Sequence, residues 1–268
     1  MITEAHPTIP PSAAAAGADA VTSRVPGTTL VVGASRGLGR GAAATFADAG
    51  SAVVAVARTA EALRELAAGT PGIEAEVADA ADPTVPGALF DRYQPTTVII
   101  VAGAAPLMRP LHQHTWETFS ANWNLDVRVA FQWVREALLT PLQPGGRVII
   151  VSSGAALAGS PLSGGYAGAK ATQRFITGYA REESERAGLG IAFTAVLPQL
   201  TPATALGLPA VRAYAARSGH SVEQYLAQLG EPLTPNAAGA ALLTLARTPT
   251  ADLAAAYRLT AAGLTALT

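Results

Sequence analysis

Tyr166 and Lys170 stand four residues apart, a spacing that puts both side chains on one face of a helix. An isolated tyrosine ionises at a pH of about 10. An ammonium held beside it favours the phenolate and brings the hydroxyl toward acid/base work near neutrality. Ser153 precedes Tyr166 by thirteen residues and closely follows the apolar run 148–151, so its hydroxyl can hold a carbonyl oxygen. A tyrosine and a lysine at this spacing are commonplace on helices, so the pair gains meaning only from what accompanies it.

The strongest companion lies near the start of the chain. The apolar run 28–32 leads into Gly33-Ala34-Ser35-Arg36-Gly37-Leu38-Gly39, a strand, a glycine turn and the beginning of a helix. Glycines there let the backbone turn tightly and approach a pyrophosphate, while free N–H groups at the helix start face its negative charge. About twenty residues further on, sites that prefer NAD commonly carry an acid against the ribose hydroxyls. This chain has Ala57-Arg58-Thr59 instead. Arg58, with Arg36 in the glycine turn, suits a 2′-phosphate through charge-assisted hydrogen bonds, which favours NADP(H) over NAD(H).

With the glycine turn, Ser152-Ser153 and Tyr166-Ala167-Gly168-Ala169-Lys170 in this order and spacing, the chain resembles the short-chain dehydrogenase/reductase family over residues 28–268. The resemblance implies that Tyr166 exchanges a proton with the substrate oxygen while hydride moves to or from nicotinamide. It implies that Ser153 orients that oxygen, and that Lys170 binds the nicotinamide ribose and lowers the ionisation pH of Tyr166. Asp79 matches the family's adenine-contacting acid. The family's relay asparagine falls on Asn124, eight residues past Trp116 and followed by Leu125. Asn122 is a nearby alternative, but two residues on a helix turn a side chain by about 200°, so both cannot fill one role, and Asn124 is the choice.

Three segments depart from the family pattern. Its usual Asn-Asn-Ala-Gly reads Ile100-Val101-Ala102-Gly103, which removes two side-chain supports but leaves Ala102 and Gly103 able to approach the cofactor. Val32 replaces a threonine before the first glycine. After the sixth apolar run, Pro198-Gln199 replaces Pro-Gly beside the nicotinamide site, with Thr201 set to meet the carboxamide.

To hold these groups together the chain needs a large parallel sheet. Strand-like runs at 28–32, 52–57, 73–77, 97–101, 147–151 and 191–197 are mostly separated by enough residues for a helix. Repeated β-α units predict a single-domain, Rossmann-like doubly wound α/β fold with helices on both faces and a ligand at the carboxyl ends of the strands. Long helices at 115–139 and 165–186 pack against it. An excursion at 201–231 carries two short helices that would cover the mouth of the site.

Of the 268 residues, 50% are apolar and only 14% charged, and the net charge is −1, which offers no electrostatic footprint for nucleic acid or an anionic membrane. Cysteine is absent, which excludes thiolate chemistry. His112 and His114 alternate like a metal pair but lack a third ligand, so they read as surface residues and no metal site is expected. Residues 1–27 read as a disordered or loosely packed tail. The expectation is therefore a cytoplasmic NADP(H)-dependent oxidoreductase acting on a small, apolar carbonyl or alcohol substrate. By resemblance it would form a homodimer or homotetramer through the two long helices. The rival expectation is a nucleotide-binding regulatory or scaffold protein, motivated by Ile100, Val101 and Gln199.

Overall fold

Strands of valine, isoleucine and alanine with both faces covered make the centre of this molecule. A computed structural model describes Val25 and residues 27–267. The chain alternates β1 (Thr28–Val32), α1 (Gly37–Asp48), β2 (Ala52–Ala57), α2 (Ala60–Gly69), β3 (Ile73–Val77), α3 (Val85–Tyr93) and β4 (Pro95–Ile100). One long helical arm follows, made of α4 (Trp116–Asn122), a π-helical turn (Trp123–Val127) and α5 (Arg128–Leu139). Beyond it come β5 (Arg147–Val151), α6 (Ala155–Ala158), α7 (Tyr166–Arg186) and β6 (Ala192–Pro198), then α8 (Gly207–Ser218), α9 (Val222–Leu229) and α10 (Pro235–Arg247).

The sheet runs β3-β2-β1-β4-β5-β6 and continues into two strands that the sequence reading missed, β7 (Ala256–Thr260) and β8 (Gly263–Leu267). All neighbours pair in parallel except β7 with β8, a hairpin that closes the edge. Both late strands are half exposed and carry Arg258, Thr260 and Thr265, so they lack the continuous apolar run that marked the others. The remaining strands fall within two residues of their expected limits.

Successive residues of the central strands serve opposite faces. Val31 and Ile99 join Phe46 of α1 and Leu242 of α10 on one side, while Leu30 and Ile100 join Trp133 of α5 and Phe193 on the other. Trp133 also spans from its helix to donate its indole N–H to the Ala80 carbonyl at 3.0 Å. The chain winds outward from β1 to β3 and then returns to start β4 on the other side of β1, so a cleft opens above the carboxyl ends of β1 and β4.

The expected loose tail lies almost wholly outside the described residues. Of its residues Val25 and Gly27 are described, and Val25 is buried in the core. Among the described residues, no helix is long and apolar enough to cross a membrane.

Candidate active site

Above the strand ends lies one cavity of about 1070 Å³. Every residue assigned to the site from sequence borders it except Gly39 and Asn124. Its first wall is almost entirely backbone. After β1, Gly33 adopts φ +95°, and a Cβ there would come within 2.6 Å of the Ala102 nitrogen, so only glycine lets the turns after β1 and β4 cross. Gly39 lies beneath that crossing, and a Cβ on it would meet the Gly33 carbonyl oxygen. The N–H groups of Val101 and Ala102 both reach the Val32 carbonyl, at 2.8 and 3.0 Å.

No side chain caps α1 among the described residues, which leaves its first N–H groups directed at the cavity. Arg36 and Arg58 stand exposed at the rim with Thr59, and Asp79 lies nearby with one carboxylate oxygen accepting the Ala81 N–H at 3.0 Å. Glycine cradle, uncapped helix and rim arginines together suit a long anionic ligand that carries phosphates.

The second wall comes from α7. Tyr166 is its first residue and Lys170 lies one turn on, both buried, with the Lys170 ammonium 5.6 Å from the centre of the Tyr166 ring. Lys170 Nζ donates to Gln173 Oε1 at 3.1 Å. It also lies 3.2 Å from Asp126 Oδ2, off any good hydrogen-bonding angle, so that contact is an ion pair. Burial pushes the Lys170 ionisation down, but Asp126 and Tyr166 outweigh it and leave the lysine raised and therefore charged. Opposite stands Ser153, whose Oγ accepts the Ala155 N–H at 3.2 Å. Its neighbour Ser152 is buried and donates to the Lys170 carbonyl at 2.7 Å, tying β5 to α7.

Asn124 does not take part. Its side chain is exposed and reaches only Ser120 Oγ, at 3.4 Å. The reason is the π-helical turn from Trp123 to Val127, which fits an extra residue into the helix and rotates everything beyond it. A count of eight from Trp116 assumes an uninterrupted α-helix and so lands on the wrong face. The turn instead buries Asn122 and Asp126, four residues apart. Asp126 Oδ1 accepts the Ala104 N–H at 2.7 Å, and Asn122 Nδ2 donates to the Ala104 carbonyl at 2.8 Å. The loop after β4 is thus held by side chains of the helical arm. Ile100 and Val101, in place of asparagines, pack into the two cores. Two polar residues at i, i+4, Asn122 and Asp126, were the available signal for this staple.

The third wall follows β6. Pro198 ends the strand, its carbonyl accepting the Gly154 N–H at 2.8 Å, and the Gln199 amide donates to the Glu231 carbonyl at 2.9 Å. The remodelled Pro-Gln segment therefore anchors the far end of the 201–231 excursion. Thr201 is buried, with its hydroxyl on the Gln199 carbonyl at 3.2 Å rather than directed into the cavity. Helices α8 and α9 bring Tyr214 and Tyr225 to the cavity as a stacked pair, 6.4 Å between centres and 12° between planes. Tyr214 Oη also meets Ser160 Oγ at 2.7 Å and accepts the Leu162 N–H at 3.3 Å, which fastens α8 to the segment before Tyr166. Burial, then the nearby Tyr214, pushes the Tyr225 phenol up, so it stays protonated at neutral pH.

His114 contacts Thr118 Oγ1 and the Arg109 carbonyl, both at 3.2 Å, and packs under Gly164 in a structural role. Among the described residues no group of three metal-binding side chains comes together.

Comparison with known proteins places this arrangement. Residues 27–213 match the family model described as short chain dehydrogenase. L-xylulose reductase of Mus musculus is 32% identical over 103 residues, which is 38% of this chain and 42% of that protein. Carbonyl reductase [NADPH] 2 of Sus scrofa is 29% identical over 150 residues, 55% of this chain and 62% of that one. The matched stretches thus span less than two thirds of these relatives. A crystal structure of an actinorhodin polyketide ketoreductase variant with NADPH superposes with a TM-score of 0.74 at 20% identity, covering 87% of this chain and 95% of its own.

Proposed function

This chain belongs to the short chain dehydrogenase family, and we propose that it is an NADP(H)-dependent oxidoreductase that interconverts a carbonyl and an alcohol on a small, largely apolar substrate. The observation that carries this reading is Tyr166 bordering the same cavity as the glycine cradle, with a charged Lys170 beside it. A binding module has no need of a buried tyrosine-ammonium pair aimed at its ligand cleft.

When bound, the reduced nicotinamide supplies the hydride that adds to the carbonyl carbon. The chain's own residues manage the rest. Gly33, Gly37 and the start of α1 receive the pyrophosphate, Ser35 and Leu38 line its path, and Arg36 and Arg58 pair with the 2′-phosphate. Asp79 borders the adenine end. Ser153 donates a hydrogen bond to the substrate oxygen, and Tyr166 gives that oxygen a proton as its charge develops, or removes one in the reverse direction. Lys170 stabilises the resulting phenolate and reaches the nicotinamide ribose. Ala102, Gly103, Pro198 and Thr201 shape the nicotinamide end.

Leu157, Leu206, Leu229 and the tyrosine pair give the substrate end an apolar lining, which supports an apolar substrate, and 201–231 serves as its lid. The regulatory alternative rested on Ile100, Val101 and Gln199. The first two pack in the cores, the loop after β4 has other anchors, and Gln199 ties down the 201–231 excursion, so no observation favours it. Exposed Phe131 of α5 with Phe175 and Tyr179 of α7 supports assembly of a homo-oligomer through the two long helices.

Fluorescence titration with NADPH and NADH, followed by NADPH oxidation against a panel of aliphatic and aromatic carbonyls, tests the reading. Tighter binding of NADPH and consumption by at least one apolar carbonyl are expected. Failure to bind either nucleotide overturns it.

A further inference from the structure

One buried ionisable group has no part in the acid/base reading above, and it touches the residue next to the acid. The Asp126 side chain is fully buried. Its Oδ1 is committed to the Ala104 N–H at 2.7 Å and lies 3.4 Å from Asn122 Nδ2, so only Oδ2 faces Lys170. The main-chain carbonyl of Asp126 is also taken, accepting from Gln173 Nε2 at 2.9 Å, while Gln173 Oε1 receives the Lys170 ammonium. Asp126, Gln173 and Lys170 therefore close a ring between the helical arm and α7. The ammonium is held from two sides, by a carboxylate and by an amide that the same aspartate orients.

The family resemblance calls for an asparagine on this arm, yet an amide at position 126 would not serve here. With its oxygen fixed on the Ala104 N–H, its NH2 would point at the ammonium, donor against donor. A carboxylate is the group this geometry accepts. Charge completes the argument. From α7, Tyr166 and Lys170 face the pair. From α4, the loop after β4 and β5, the described residues that touch it are neutral, namely Asn122, Gly103, Ala104 and Ser152. Arg128, next along the arm, is exposed and acts on Asp82. The positive charge felt by Tyr166 is thus Lys170 offset by Asp126.

We propose that Asp126 is a positioning residue for the proton transfer: its carboxylate holds the Lys170 ammonium and offsets its charge, and so sets the pH at which Tyr166 releases its proton. The inference rests on the assignment of Tyr166 as the acid/base, and its test is separable from that assignment because it needs neither substrate nor nucleotide. Tyrosinate absorbance of the full chain is followed against pH in wild type, Asp126→Ser, which removes the charge without setting a donor against the ammonium, and each combined with Tyr166→Phe. The paired differences isolate Tyr166 from the other tyrosines.

Removing the negative charge is expected to move the Tyr166 midpoint down by about one pH unit. A midpoint that moves by less than about 0.2 units, or that rises, overturns the proposal. If Asp126→Ser does not fold, Asp126→Ala is read in the same way. Unfolding with both replacements makes Asp126 a structural residue and equally overturns the proposal. The parent assignment fails by a different result, wild-type turnover in Tyr166→Phe, whatever the absorbance titration gives.

Discussion

The turn after β1 and the π-helical turn in the arm after β4 line the same cleft and are built from opposite materials. The first is backbone: glycines at 33, 37 and 39, a crossing with Ala102 too close for any Cβ, and an uncapped helix start. The second is side chain: Asn122 and Asp126 reach out of a helix to clasp Ala104, and Asp126 continues to Lys170. A backbone site binds what every dinucleotide shares, its phosphates, and tolerates exchange of surrounding side chains. A side-chain site depends on each atom, so it can tune the chemistry, and one substitution can undo it.

If the first region is truly limited by backbone approach, Gly33→Ala is the harshest change available there. It adds a Cβ 2.6 Å from the Ala102 nitrogen at a φ of +95°. We expect a loss of about 2–4 kcal/mol in denaturant unfolding together with loss of NADPH binding. Unchanged stability would mean that the two turns are free to part. Arg58→Ala touches the same ligand through a side chain at the rim. It should weaken NADPH by about 10- to 100-fold in a fluorescence titration and leave NADH within about twofold. Equal losses for both nucleotides would remove the 2′-phosphate role. Tyr214→Phe is the mildest. It deletes the hydroxyl that ties α8 to Ser160 and Leu162. A cost of about 1 kcal/mol in stability is expected, with a raised KM and little change in kcat. A drop in kcat alone would place Tyr214 in the chemistry instead.

What could be read from sequence follows the same division. The glycine turn was legible because each of its constraints is local: a strand, a tight turn and a helix start leave marks within seven residues. Tyr166, Lys170 and Ser153 were legible as types at fixed spacings on regular elements. Asn124 was misjudged because spacing along a helix carries information only while the helix stays regular, and the π-turn breaks that count two residues before Asp126 matters. Ile100 and Val101 looked like lost supports because their replacement, the Asn122 and Asp126 staple, lies about twenty residues away and is joined to them only by the fold. β7 and β8 escaped notice since an edge hairpin half open to solvent needs no apolar run. The two short helices of the 201–231 excursion were anticipated from their punctuation, but not the tyrosine stack between them, which depends on how α8 and α9 pack.

The central claim is that a single phenol in this cleft moves the proton. Stopped-flow NADPH oxidation with an accepted carbonyl, compared between wild type and Tyr166→Phe, tests it directly when NADPH binding is measured on both. The account predicts that Tyr166→Phe binds NADPH within a few-fold of wild type and oxidises it about 10²–10⁴-fold more slowly. Oxidation at the wild-type rate by Tyr166→Phe, with binding intact, would contradict it.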